Sequence, residues 1–231
     1  RQLLTLNEIS KNIKSKKILK DVSFTLNSGD IIGLVGGNGA GKTTLMKVIL
    51  GVSSYQSGTL KSHTLNKSND IGALIENPGL YPFLTGFENM KLINEDKDTS
   101  NIQQIVDKLE MNDFIHSKAK TYSLGMKQKL GIALALLNHP KLVILDEPMN
   151  GLDPKAVKNV RETIIDFKNQ GVTFLISSHI LSELVKVTDS ILIIDKGKII
   201  KETTMEELNQ SNESDLENIL LNIIDQKGEQ S

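Results

Sequence analysis

The stretch that most restricts this chain is G36-G-N-G-A-G-K-T43. It matches G-x-x-x-x-G-K-[ST] in full, and it stands between two segments of opposite character. I31-I-G-L-V35 before it is a short, nearly continuous apolar run, the pattern of a parallel strand covered on both faces. T43-T-L-M-K-V-I-L50 after it has helical spacing and is closed by Gly51. Strand, glycine-rich loop and helix in that order start an α/β layer. The residue types then dictate the chemistry. Gly36, Gly37, Gly39 and Gly41, with Asn38 and Ala40 between them, let successive backbone N–H groups turn toward one anion. Lys42 can reach the outer phosphates of a nucleotide, and Thr43 can place its hydroxyl on Mg²⁺. The N-terminal dipole of the helix that continues through Thr44 favours the same negative charge. A plain strand-to-helix turn would not require G-K-T.

The rest of the chain supports that layer. Its 231 residues suffice for one large domain with a substantial core. Residues 2–9 and 17–26 alternate apolar and polar, as antiparallel strands with one solvated face do. S57-G-T-L60, I71-G-A-L-I75, L142-V-I-L145, V172-T-F-L-I-S177, I191-L-I-I-D195 and K198-I-I-K201 read as further strands. Between them, residues 86–93, 99–110 and 125–138 read as helices, and Asp153 with Pro154 caps and starts another that ends at Gly171. The expected fold is an α/β P-loop NTPase. It has a RecA-like, mostly parallel core sheet, an antiparallel β subdomain and an inserted α-helical subdomain. Residues 1–76 and 123–203 would form the core with the β subdomain, 77–122 the helical subdomain and 204–231 a helical tail.

Composition excludes several classes. There is no cysteine, so disulfides, thiolate metal sites and cysteine nucleophiles are out. The 27 basic and 28 acidic residues nearly cancel, which gives no sign of a nucleic-acid groove. No apolar run approaches the roughly 20 residues that span a bilayer. R-Q-L-L-T-L at the start lacks the pattern of a secretory signal. The chain is expected to be soluble by itself, with any membrane role arising through a partner.

Two acids close the strand at 142–145. Asp146 suits Mg²⁺, usually through water. Glu147 alternates to the other side and can accept a proton from a water attacking in line with the γ-phosphate. Strand C-termini are where ligands bind in open α/β sheets. By that logic His179, at the end of the next strand in S177-S-H179, is placed to sense the γ-phosphate. An acid pair after a strand is by itself more often a solvated strand end; the phosphate loop reverses that weighting.

Y122-S-L-G-M-K-Q-K129 completes the set. Ser123 is a plausible N-cap and Gly125 allows close backbone approach. Its position after the phosphate loop and before L145-D-E-P148 resembles the signature sequence of ABC ATPases. M149-N-G-L-D153 is similar to their D-loop, and His179 to their H-loop histidine. The order of motifs agrees over about residues 1–200, so the chain resembles an ABC transporter nucleotide-binding subunit. That resemblance implies ATP and Mg²⁺ as ligands and a head-to-tail homodimer. In it Ser123 and Gly125 of one chain, with Asp153 of the D-loop, complete the site on the phosphate loop of the other. It also implies a separate transmembrane permease, and a cytoplasmic location on the inner face of a bacterial membrane.

The chain departs from the common pattern at three places. The usual L-S-G-G-Q is replaced by S-L-G-M-K, which keeps the Ser and a Gly and brings in Met126 and Lys127. The aromatic residue that stacks on adenine corresponds to Ile13, which implies weak stacking and modest discrimination between ATP and GTP. Glu76 stands where a Gln is usual, at the join between core and helical block. The resemblance makes Glu76 a Mg²⁺-side and coupling residue, and Asn77 to Thr85 the surface that meets the permease. The Glu form, with S-L-G-M-K-Q and I-E-N-P-G-L-Y-P, resembles a branch that protects bacteria from bacitracin- and lantibiotic-type peptides. Export of an antimicrobial peptide is therefore the favoured function. A soluble ABC ATPase of translation or DNA repair, or a nucleotide-dependent regulator without turnover, are the alternatives. In the tail, apolar residues at 216, 219, 220, 223 and 224 form a helical stripe that would pack on the core or at a dimer contact.

Overall fold

A computed structural model describes residues 1–65, 70–210 and 218. The chain opens with β1 (Gln2–Ile13) and β2 (Lys16–Asn27), followed by β3 (Ile31–Val35), α1 (Lys42–Leu50), β4 (Ser57–Ser62) and β5 (Ile71–Leu74). Next come α2 (Gly86–Ile93), α3 (Ser100–Lys108), α4 (Leu124–Leu136), β6 (Leu142–Asp146) and α5 (Pro154–Asn169). The last elements among the described residues are β7 (Thr173–Ser178), α6 (Leu181–Val185), β8 (Ser190–Asp195), β9 (Lys198–Thr204) and α7 (Met205–Gln210). Two sheets form: an antiparallel one in the order β2-β1-β4, and a six-stranded one in the order β5-β6-β7-β3-β8-β9. All neighbours in the larger sheet are parallel except β8 and β9.

Side-chain alternation divides the core into two layers. Val143, Leu145, Phe174 and Ile176 face the helical side, where they join Ile102, Ile105, Leu130 and Ile132. Leu142, Ile144, Leu175 and Leu192 face the other way, onto Leu4, Leu6, Leu19 and Leu45. A period of two on strands buried on both faces requires this division. It explains why β3, β6 and β7 are buried at every position. The sheet is thus held between α1 with the antiparallel layer on one side and the helical block on the other.

The β1–β2 pair runs further than the alternation predicts. Register shifts lie between Leu6 and Ile9 and between Ile9 and Lys11, and Glu8 and Asp21 take φ of 49° and 48°. These bulges reset the pleat, so the ladder continues where the sequence pattern breaks. The helix expected over 99–110 ends at Lys108, yet Leu109, Met111 and Ile115 remain buried in the turns that follow. The apolar stripe at 216–224 lies outside the described residues.

Close approach between β5 and α4 sets where the C-terminal end of α4 sits. A Cβ on Gly72 would lie 1.8 Å from the Ala135 carbonyl oxygen, so only glycine fits there. Ser123 caps α4 by accepting the Met126 N–H, and Asp153 caps α5 by accepting the Ala156 N–H.

An acidic seam lies at the edge of the core. Asp189 Oδ2 accepts the Ile31 N–H at 2.8 Å, and Lys168 donates to its Oδ1 at 3.0 Å. Partial burial, and then the charge of Asp189, raise the Asp30 carboxyl above its ordinary value, with Lys168 opposing. A carboxyl raised in the folded state costs stability once ionised, so folding weakens as pH climbs through that raised value. Asp30→Asn should stabilise the fold at pH 7 by less than about 1 kcal/mol, since the group is only partly buried and solvent screens it. The gain should vanish below about pH 3.5, where both states are protonated. Urea melts of both proteins across pH 3–8 would check this.

Candidate active site

Every residue of the phosphate loop is placed by the step from β3 to α1. Gly41 is the N-cap of α1, with φ of 104° and no side-chain cap. The first N–H groups of that helix are therefore open to the cleft, and an oxyanion there would satisfy them. Residues 37–44 line this cleft of about 360 Å³ together with Lys16, Ile18, Asp146 and Glu147. The Gly36 carbonyl closes its base by accepting from Lys42.

The metal side is a connected set of hydrogen bonds. Thr43 Oγ1 donates to Asp146 Oδ2 at 2.9 Å, and Ser177 Oγ donates to Asp146 Oδ1 at 2.6 Å. The Glu147 N–H donates to the same Ser177 oxygen at 2.9 Å. Asp146 is 6% exposed, and a carboxylate so buried needs such partners. Among the described residues no three His, Asp or Glu side chains converge on one point. A hydroxyl beside a single carboxylate suits Mg²⁺, which keeps its waters and takes further oxygens from phosphate.

Glu147 is the centre of the reacting side. Its φ of 49° is rare for a residue with a side chain, and such strain collects at functional sites. Lys42 Nζ donates to Glu147 Oε1 at 3.1 Å, and His179 Nδ1 lies 3.0 Å from both Glu147 oxygens. Gln128 Nε2 fixes the turn by donating to the Glu147 and Pro148 carbonyls, both at 3.1 Å. Ser177 and Gln128 were not singled out by the sequence. Ser177 lies inside S177-S-H179, where only His179 signals a role, and Gln128 is hidden in a helix whose signal lies in its first turn.

Two expected residues lie apart from this cluster. Glu76 does not join Thr43 and Asp146; it pairs with Lys47 at 3.0 Å, and its side chain is 59% exposed. Ile13 is 48% exposed at the tip of the β1–β2 hairpin, and Lys16 and Ile18 stand in the cleft wall instead.

A second concavity, about 380 Å³, is lined by Ser123, Gly125, Met126, Lys129, Leu152 and Asp153, among others. The signature stretch and the 149–153 loop therefore form one surface. Among the described residues it shares no lining residue with the phosphate-loop cleft.

A strand–glycine loop–helix unit with an acid pair at the end of another parallel strand of the same sheet, one strand removed, defines a P-loop nucleotide-binding protein. The ABC transporter family model matches residues 19–150, and the chain belongs to that family as an ATP-binding subunit. Lantibiotic transport ATP-binding protein SrtF of Streptococcus pyogenes is 40% identical over 206 residues, covering 87% of this chain and 90% of its own. Bacitracin transport ATP-binding protein BcrA of Bacillus licheniformis is 38% identical over 227 residues, covering 93% and 74%. An uncharacterized ABC transporter ATP-binding protein of Bacillus subtilis, YdbJ, is 40% identical over 222 residues, covering 91% and 72%. Among solved structures, an ATP-binding subunit of an ABC transporter superposes with a TM-score of 0.81 at 28% identity, covering 90% of this chain and 92% of that one. A nucleotide-free ATP-binding cassette follows with a TM-score of 0.80 at 25% identity, covering 93% and 97%.

The Lys42–Glu147 pair has a measurable consequence. If Lys42 serves the phosphates, nucleotide draws it away from Glu147, and the pair competes with binding. Glu147→Gln should tighten ADP binding by up to roughly fivefold without divalent cations, the range of a modest ion pair. Fluorescent-ADP titrations in EDTA would test this; equal affinity in both proteins would mean that the pair exerts no hold.

Proposed function

We propose that the chain hydrolyses ATP as a head-to-tail homodimer and drives a separate permease that exports an antimicrobial peptide. The observation that carries this reading is the separation of the two half-sites. The cleft holds Lys42, Asp146 and Glu147, while the concavity holds Ser123, Gly125 and Asp153. The two share no lining residue among the described residues, and two chains related by a twofold axis would bring one of each to the same phosphate, twice.

In this reading Lys42 exchanges Glu147 for the outer phosphate oxygens. The opened N-terminus of α1 takes the inner ones. Glu147, released, accepts the proton of the attacking water, and His179 keeps its carboxylate turned inward. Thr43 and Asp146 would hold Mg²⁺, which when bound offsets phosphate charge. The capped N-terminus of α4 on the partner would supply a further dipole to the γ-phosphate.

Tyr81 and Phe83, 61% and 73% exposed, support a docking role for the segment after β5. Its backbone is held by Asn89, which accepts the Tyr81 N–H at 2.8 Å and donates to its carbonyl at 3.1 Å. The names of the lantibiotic and bacitracin transport relatives support the peptide class.

The assembly step can be tested directly. Glu147→Gln with MgATP should elute as a dimer, and wild type with MgADP as a monomer, in size-exclusion chromatography with light scattering. A Glu147→Gln protein that stays monomeric in saturating MgATP would defeat the composite-site reading. For the cargo, wild-type chain expressed with its permease should raise resistance to bacitracin- or lantibiotic-type peptides. Resistance equal to that of a Lys42→Ala control would remove the peptide assignment.

A further inference from the structure

The ion pair between Lys47 and Glu76 lies beside the nucleotide site without being part of it. Lys47 is four residues after Thr43 on α1, so the two share a face and are neighbours along it. Its ammonium donates to Glu76 Oε1 at 3.0 Å. Glu76 has φ of 63°, a left-handed turn two residues past the end of β5. Glu76 therefore leaves the core sheet at the end of the strand next to β6, which carries Asp146. A free carboxylate there would add a second negative charge to the side of the cleft formed by Thr43 and Asp146. The Lys47 ammonium offsets that charge and gives the carboxylate another place to be.

We propose that Lys47 is the positioning residue for Glu76. It holds the carboxylate against the turn of α1 that follows Thr43. By doing so it sets how readily Glu76 approaches a divalent cation bound with nucleotide. The side chains are 36% and 59% exposed, so the hold is weak. An exposed pair of this kind is equivalent to about fivefold at most in an equilibrium, which a divalent cation can overcome. A weak hold is what an exchange requires, because a buried bridge would keep Glu76 in one place. The inference rests on the reading of Glu76 as a residue of the metal side.

The test uses a fluorescent, non-hydrolysable ATP analogue at fixed concentration, titrated with Mg²⁺, with half-saturating Mg²⁺ as the readout. The proteins are wild type, Lys47→Met, Lys47→Arg, Glu76→Gln and the Lys47→Met/Glu76→Gln double variant. Lys47→Met should lower half-saturating Mg²⁺ two- to fivefold, and Lys47→Arg should restore the wild-type value. In the Glu76→Gln background the Lys47→Met shift should shrink to less than half. An equal shift in both backgrounds would overturn the proposal, because Lys47 would then act on the nucleotide or metal by its own charge. A Glu76→Gln shift with no Lys47→Met shift would also overturn it, leaving Glu76 on the metal side without Lys47. If no variant moves half-saturating Mg²⁺, Glu76 is not on the metal side, and the proposal falls together with that reading.

Discussion

Asp146 is the joint on which the nucleotide site depends. It ends β6 with its carboxylate almost wholly enclosed, and each oxygen has a hydroxyl partner from a different element. Thr43 ties it to the head of α1 and Ser177 ties it to β7. Ser177 in turn accepts the N–H of Glu147, so Asp146 and Glu147 are fixed by one hydroxyl. Removing any partner would leave a buried charge unsatisfied, which is costly enough to disturb the set as a whole. The parallel register of β6 with β7, Asp146 opposite Ser177, is what places that hydroxyl within reach.

The same geometry gathers two further side chains on Glu147. Lys42 and His179 both turn to its carboxylate, and the Lys42 ammonium offsets its charge. On the proposed reading, nucleotide phosphate would draw Lys42 away and free the carboxylate to act as base. The strained backbone at Glu147 is held by Gln128, which belongs to α4 and so to the signature helix. That contact links the reacting carboxylate to the surface on which a second chain would close.

Much of this was legible in the residues. The phosphate loop, its strand and its helix announce themselves because glycine, lysine and threonine at that spacing serve no ordinary turn. The acids at 146–147 and the caps Ser123 and Asp153 were readable from position on their elements. Other features were not. Ser177, Gln128 and Lys47 are common residue types whose roles come from partners at least 19 positions away, the nearest being Gln128 with Glu147. The reach of β1 and β2 was hidden because bulges break the alternation that marks a strand. Ile13 was expected to stack on adenine, and spacing along a hairpin does not report which of its residues line the cleft, as Lys16 and Ile18 do.

The central claim is that each site is finished by the partner chain, and the absence of native cysteine makes it directly measurable. One chain would carry Asn38→Cys in the phosphate loop and another Leu124→Cys in the exposed first turn of α4, both with Glu147→Gln. Mixed under mild oxidation, they should form an interchain disulfide with MgATP and little or none with MgADP. A crosslink that ignores nucleotide, or one that joins only two Asn38→Cys chains, would contradict the account.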